Sequence, residues 1–348
     1  MKNTFYIIFL IIIILVSACR SNNNNYNNPD EIQGDYFGQI PPSDSAKLFA
    51  PNTISTGMNE RDFVISPDGT EIFFCREAGN FKYTTIFYTQ RINHIWTFPE
   101  VFEYCTNPNY KFVEPHLSID GKRLYFISNM PVDSSSFGNE DIWVSTKTDG
   151  KWSKPANLGS PVNTKSKEFF PSLTQDGTIY YTHLDTLVND EFIYRSRFVN
   201  GEYQQPEKLG PNVNIGSARY NAFISSDESY VIIPAYGMPD SYGGTDYYIS
   251  FRDFQDNWSQ PINMGLKINT SSPKEWSASV STDGKYIFLM SARMNNKGID
   301  KLSQQSLLEF HNSPQNGNTD IYWISSSIIE ELRLQADFKN KNNKLLFE

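Results

Sequence analysis

The chain has 348 residues, with 39 acidic side chains against 30 basic ones, a formal charge of −9 and 15% aromatic residues. An acidic chain lacks the basic stripe that phosphate contact needs, which excludes nucleic-acid binding, and this aromatic content excludes wholesale disorder. Three cysteines, Cys19, Cys75 and Cys105, are too few for a disulfide scaffold, and no apolar run reaches the ~18–20 residues of a spanning helix.

Lys2 gives the N-terminus a positive end, and the stretch from Phe5 to Val16 is almost purely apolar before it closes on small residues. That is the build of a secretory signal over residues 1–18. The tetrad Val16-Ser17-Ala18-Cys19 resembles a bacterial lipobox, and the resemblance implies lipidation of Cys19 after cleavage. Residues 19–43 then read as a lipidated tether, asparagine-rich at its start, with a reach of ~25–30 Å if it behaves as a coil. Arg20 follows the cysteine and no acid comes before Asp30, which places the expected anchor at the outer membrane facing the periplasm, with surface exposure as the alternative.

From residue 44 onward a short cassette recurs: Ser66-Pro67-Asp68-Gly69, Ser118-Ile119-Asp120-Gly121, Thr174-Gln175-Asp176-Gly177, Ser225-Ser226-Asp227-Glu228 and Ser281-Thr282-Asp283-Gly284. Their last positions lie 52, 56, 51 and 56 residues apart, the period of a four-stranded propeller blade. Asp-Gly between two β-rich runs predicts a tight hairpin with both turn residues at positive φ, strained or reshaped where Glu228 replaces the glycine. An apolar residue precedes each turn, from Ile65 to Val280. A β-rich run such as Leu124-Tyr125-Phe126-Ile127 follows, and then a third strand opened by Asp141, Asp246 or Asp320. These acids read as local hydrogen-bonding residues.

The fourth strands carry prolines, as outer edges tolerate: Trp152-Ser153-Lys154-Pro155 leads to Asn157-Leu158-Gly159 and Val162-Asn163, and Trp258-Ser259-Gln260-Pro261 to Met264-Gly265 and Ile268-Asn269. Tyr203 to Pro206 leads in the same way to Val213-Asn214. The fifth copy has no such strand after Ile321-Tyr322-Trp323, whereas Leu48-Phe49-Ala50-Pro51 looks like its close. The fold class is therefore all-β: a propeller over residues 44–327 with blades near 61–106, 112–164, 168–215, 219–270 and 275–325. Residues 46–54 would close the ring. Six blades would need a repeat that is not found. Residues 328–348 read as a helical or flexible tail outside the ring.

These cassettes resemble the WD-repeat-like units of TolB-type propellers. Together with Tyr36-Phe37-Gly38-Gln39 and Phe49-Ala50-Pro51, they are similar to a family of envelope lipoproteins. The resemblance implies a monomeric, lipid-anchored binding scaffold whose partner is an envelope protein or a glycan.

Just ahead of the inner strands stand Glu60, Asp62, Glu114, Glu168, Arg219 and Glu275. If they line the channel mouth they form an acidic ring with one cation, suited to a basic or polyhydroxyl ligand. The structural alternative is that they cap loop amides and pair with Arg61, Lys167 and Lys274. Paired carboxylates there could also serve a glycan-acting enzyme of glycosidase or sialidase type. However, no Arg-Ile-Pro start or Ser-x-Asp-x-Gly-x-x-Trp box accompanies them, and no catalytic residue is assigned. His94, His116, His183 and His311 are scattered, so neither a metal nor a cofactor is expected. The long connections after the second strands of blades four and five, with Asp240, Tyr242, Arg293 and His311, are the expected partner loops. Cys75 and Cys105, placed on the second and fourth strands of blade one, are expected to stay unpaired thiols.

Overall fold

A computed structural model describes residues 32–133, 138–295 and 298–338. Cys19 and the expected signal over residues 1–18 lie outside the described residues. Every strand pair is antiparallel, and five sheets form the five blades. The inner strands are Asn59–Ile65, Phe112–Leu117, Glu168–Leu173, the broken pair Ala218–Arg219 and Phe223–Ile224, and Ala278–Val280. Second strands (Glu71–Ala78, Arg123–Ser128, Ile179–Asp185, Tyr230–Tyr236, Tyr286–Ser291) and third strands (Tyr83–Ile92, Asp141–Thr148, Asp190–Ser196, Thr245–Phe251, Asp320–Ser325) follow outward. The fourth strands are two-residue edges such as Ala156–Asn157 and Ile262–Asn263.

The cassette folds each hairpin through its side chains. In blade one, Ser66 Oγ donates to Asp68 (2.6 Å) and accepts the Glu71 amide (2.9 Å), while Asp68 accepts the Thr70 amide (3.0 Å). Blades two and five repeat this at Ser118 and Ser281. Only the last cassette position takes positive φ, at Gly69, Gly121, Gly177, Glu228 and Gly284; the aspartates do not. The expectation of two left-handed residues is thus corrected, because the aspartate is fixed by its own Asx-type bonds and one left-handed residue completes the turn. Glu228 keeps the same turn at φ 58 instead of reshaping it. Its carboxylate is caught by Tyr180 Oη (2.8 Å) and Arg252 (2.9 Å).

The ring closes through the chain's N-terminal side: Lys47–Leu48 pairs with the third strand of blade five, Lys47 opposite Trp323 and Leu48 opposite Tyr322. The Phe49 amide adds a bond to Ile321 O at 2.8 Å, and Phe49 itself is fully buried.

Two expected appendages belong to the body. Within the supposed tether, Gln33 bridges Ile95, Trp96 Nε1 donates to Gly34 O (2.8 Å), and Phe37 stacks on Trp96 at 4.5 Å. Tyr36 packs on Trp323 (5.1 Å) and Tyr286 (5.2 Å). Residues 32–43 are thus docked on the seam of blades one and five; two aromatic rings set against the blades outweigh the polar composition around them. At the other end, the helix Ser327–Arg333 buries Ile328, Ile329 and Leu332 against Tyr322, Ile324 and Ile287, so its apolar face completes a core instead of lying outside the ring. The connection 292–319 carries an exposed helix, Gln304–His311, capped by Ser303.

Cys75 and Cys105 are both free and buried. Cys105 lies beyond the edge strand Glu100–Val101, not on it. No helix among the described residues is long and apolar enough to cross a membrane.

Candidate functional site

The six residues expected at the channel mouth fall into two positions. Glu60, Glu168 and Glu275 share the first and are fully buried. Each carboxylate accepts the hydroxyl and the amide of a threonine just upstream: Thr56 (2.6 and 3.0 Å), Thr164 (2.5 and 2.9 Å) and Thr270 (2.7 and 3.2 Å). The threonine oxygen in turn accepts the amide two residues on. Arg76 (3.0 Å), His183 (2.8 Å) and Ser291 (3.0 Å) complete the three shells. This is a repeated brace that joins an inter-blade loop to its inner strand. Blade four exchanges both members, with Ile215 for the threonine and Arg219 for the glutamate. The guanidinium reverses the bonding by donating to Ile215 O (3.0 Å), Gly216 O (2.8 Å) and Asp190 (2.9 Å). These four residues therefore hold the loops and leave no open acidic ring. Lys167 pairs with Glu140 (3.0 Å), not with Glu168.

Two residues further along, Asp62, Glu114, Phe170 and Asn221 all take positive φ, between 52 and 60. In the first three blades they sit at β-bulges, where the register with the second strand shifts. Ser277 holds this place in blade five and accepts the Asp62 amide (3.3 Å). Four non-glycine residues in the left-handed region around one axis mark concentrated backbone strain, the kind that surrounds functional sites.

Arg61 organises the charge there. It reaches Asp62 (2.6 Å), Glu114 (3.1 Å) and Glu77 (3.5 Å), and Glu114 also accepts the Phe170 amide (2.7 Å). Burial opposes the Arg61 charge, but Asp62, Glu114 and Glu77 more than offset it and hold the guanidinium protonated. Burial pushes Glu114 up to about 8 against the pull of Arg61, and raises Glu77 too. Asp62 Oδ1 and Asn221 Oδ1 are buried with no hydrogen-bond partner. Below them the channel narrows to about 10 Å³ between Pro115, Phe170 and Phe223, room for one water. Beside the charged group Phe81 stacks on Trp276 (6.4 Å), and Lys274 lies over both rings. Phe81 has left-handed backbone and is partly exposed, a feature with no signature in the sequence. Among the described residues no three His, Cys, Asp or Glu side chains converge as metal ligands would.

The expected partner loops divide. Tyr242 is exposed, and Asp240 is exposed while accepting Tyr248 Oη (2.8 Å). His311 ends the exposed helix. Arg293, in contrast, turns inward over the Tyr322 ring (4.6 Å) and bonds Ser291 Oγ (3.0 Å) and Ile268 O, so its charge serves the fold and is not offered to a partner. The strand-opening acids bond locally: Asp141 to Asn157 (2.8 Å), Asp246 to Asn263 (2.9 Å), and Asp320 to the Gln315 amide (2.7 Å). A recurrent brace went unread in the repeats. Asn163, Asn214 and Asn269 bond both amide and carbonyl of Ile142, Ile193 and Tyr247, and their spacing after the Leu-Gly and Met-Gly pairs would have revealed them.

No protein-family model matches the sequence, and no curated protein matches it. Solved structures similar to it include TolB from Acinetobacter baumannii, at 15% identity over 77% of this chain and 57% of that one, TM-score 0.42. The chain thus spans little more than half of that protein's length. Others are a putative TolB from Agrobacterium tumefaciens (12% identity, 77% and 90% covered, TM-score 0.44) and a Bacillus subtilis arabinanase (12%, 80% and 97%, TM-score 0.47). At these identities and TM-scores the likeness carries no argument about function, and the five blades rest on the strand pairing described above.

Proposed function

We propose that the chain is a lipid-anchored, TolB-like propeller of the cell envelope that binds a protein or glycan partner without catalysis, as a monomeric ring held at the outer membrane through Cys19. The observation that carries this reading is the spent chemistry of the channel mouth. Glu60, Glu168 and Glu275 are consumed by threonine braces, and Arg61 bridges the remaining carboxylates over a one-water constriction. The Lys274–Trp276–Phe81 group beside it offers a cation and aromatic faces for contact.

A second reading, a glycan-acting enzyme, draws on one feature: Glu114 has left-handed backbone, and burial pushes its carboxyl up to about 8 against the pull of Arg61, the direction of shift a general acid needs. The full-length protein should show no turnover on envelope or host glycans. Cross-linking in intact cells should capture a partner that is lost with Trp276→Ala. Reproducible turnover abolished by Glu114→Gln would overturn the first reading in favour of the second. For the anchor, Cys19→Ala should leave the protein soluble or uncleaved at the inner membrane; mature protein still in the outer-membrane fraction would refute lipidation.

A further inference from the structure

The far end of the channel, where the five cassette turns lie, differs from the charged mouth. It opens into a funnel of about 350 Å³, within the ~300–1,000 Å³ range of small-molecule sites. One apolar side chain from each blade walls it: Val64, Leu117, Leu173, Ile224 and Val280. The rim is polar, with Ser226, Thr282 and Ser327 beside Glu330 and Arg333 of the C-terminal helix. His116 and Phe223 border both this funnel and the one-water constriction, so they form its floor.

We propose that the funnel binds a small uncharged molecule with an apolar body and a single acceptor oxygen at its buried tip, held by the Nδ1–H of His116. His116 Nε2 accepts the Leu173 amide at 3.0 Å, so the neutral ring must carry its proton on Nδ1. Nδ1 has no hydrogen-bond partner among the described residues, so a side chain that borders both cavities keeps one unused donor of fixed tautomer. Burial pushes the imidazole down to about 4, so it stays neutral at physiological pH even though a sliver of its surface reaches the cavity. An anion would find no spare cation: Arg333 is held by Glu330 (3.2 Å) and by the Phe251 ring (4.7 Å). A cation would find carboxylates only at the rim, Asp227 accepting the Ser229 amide (3.0 Å) and Glu330 accepting Arg333, and would lose its hydration against the apolar walls below. This site is separate from the charged mouth and does not depend on the envelope-binding reading.

The probe is acetophenone, with α-methylstyrene as the same shape lacking the oxygen. Four histidines make the ring ¹⁵N–¹H spectrum of the full-length protein assignable. Acetophenone should shift the His116 Nδ1–H resonance saturably, and α-methylstyrene should bind roughly five- to tenfold more weakly, the worth of one neutral hydrogen bond. Leu173→Phe, which fills the funnel, should abolish the shift; if it does not fold, Val280→Phe serves from the opposite wall. Equal binding of the two probes, no saturable shift up to the solubility limit, or a shift that survives the filled funnel would each overturn the proposal.

Discussion

The seam between blades five and one and the seam between blades three and four both bury an apolar core, and they differ in what is laid over it. At the first, Phe49 packs on Phe63 (5.0 Å), Phe288 (5.2 Å) and Trp323 (5.3 Å), Phe63 stacks on Phe288 (4.2 Å), and Tyr36 and Phe37 cover the group. At the second, Arg195 links Asp256 (2.8 Å), Glu207 (2.8 Å) and Tyr180 Oη (3.2 Å), while Arg252 joins Glu228. At the continuous seam the Arg195–Asp256 pair crosses over an apolar core that includes Tyr180, Ile193, Ile224 and Tyr248. Where two remote ends meet, apolar burial supplies the driving force, since it needs no exact pairing and is not screened by salt.

The largest test removes one seam outright. Starting the chain at residue 32 should leave the melting transition unchanged. Starting at 44 should lower it, because Tyr36 and Phe37 are gone, and starting at 57 should abolish cooperative unfolding or cause aggregation. Equal melting of all three would mean that the N-terminal strand is not what closes the ring. Within the seam, Phe49→Ala should cost about 3–5 kcal/mol in denaturant unfolding, with the same loss at low and high salt.

Asp320 opens the strand that receives the closing segment. Burial pushes it up to about 8, and its Oδ1 has no partner. A carboxyl raised in the folded state above its unfolded value near ~3.9 stabilises fully below that value and loses this contribution as pH rises toward 8. Wild-type stability should therefore fall between pH 5 and pH 8 more steeply than that of Asp320→Asn, followed by thermal melts; parallel curves would show that Asp320 is not the titrating group. The smallest effect belongs to the ionic seam. Arg195→Met should cost about 1–2 kcal/mol, and the gap from wild type should narrow in high salt. A salt-independent loss would make Arg195 a packing residue and erase the contrast between the seams.

Much of the ring was legible because its repeats are written in side chains that bond their own backbone. The Ser-x-Asp-Gly cassettes declare their turns, and a fifth copy without a fourth strand points to Phe49. The candidate site was harder to read. Glu60 stands nine residues before Gly69 and Glu114 seven before Gly121, so only the count to the cassette, and not the residue type, separates a loop brace from a carboxylate facing Arg61. Left-handed Phe170 carries no local signal, since phenylalanine has no preference for that region. Tyr36 and Phe37 stand out as a motif, but their docking does not, because the asparagines before them make the segment read as a tether and composition averages over the two residues that anchor it.

Ring closure also has a mechanical side. The closing strand pairs residues near 47 with residues near 323, so the blade completed last includes some of the first residues made, and the fold cannot finish until almost the whole chain is available. A pull on the N-terminus would reach that strand directly were it not for the Tyr36–Phe37 clamp. The clamp lies on the N-terminal side of the closing strand, so it would take up such tension first and let the segment from 32 to 43 peel away before the ring is asked to open.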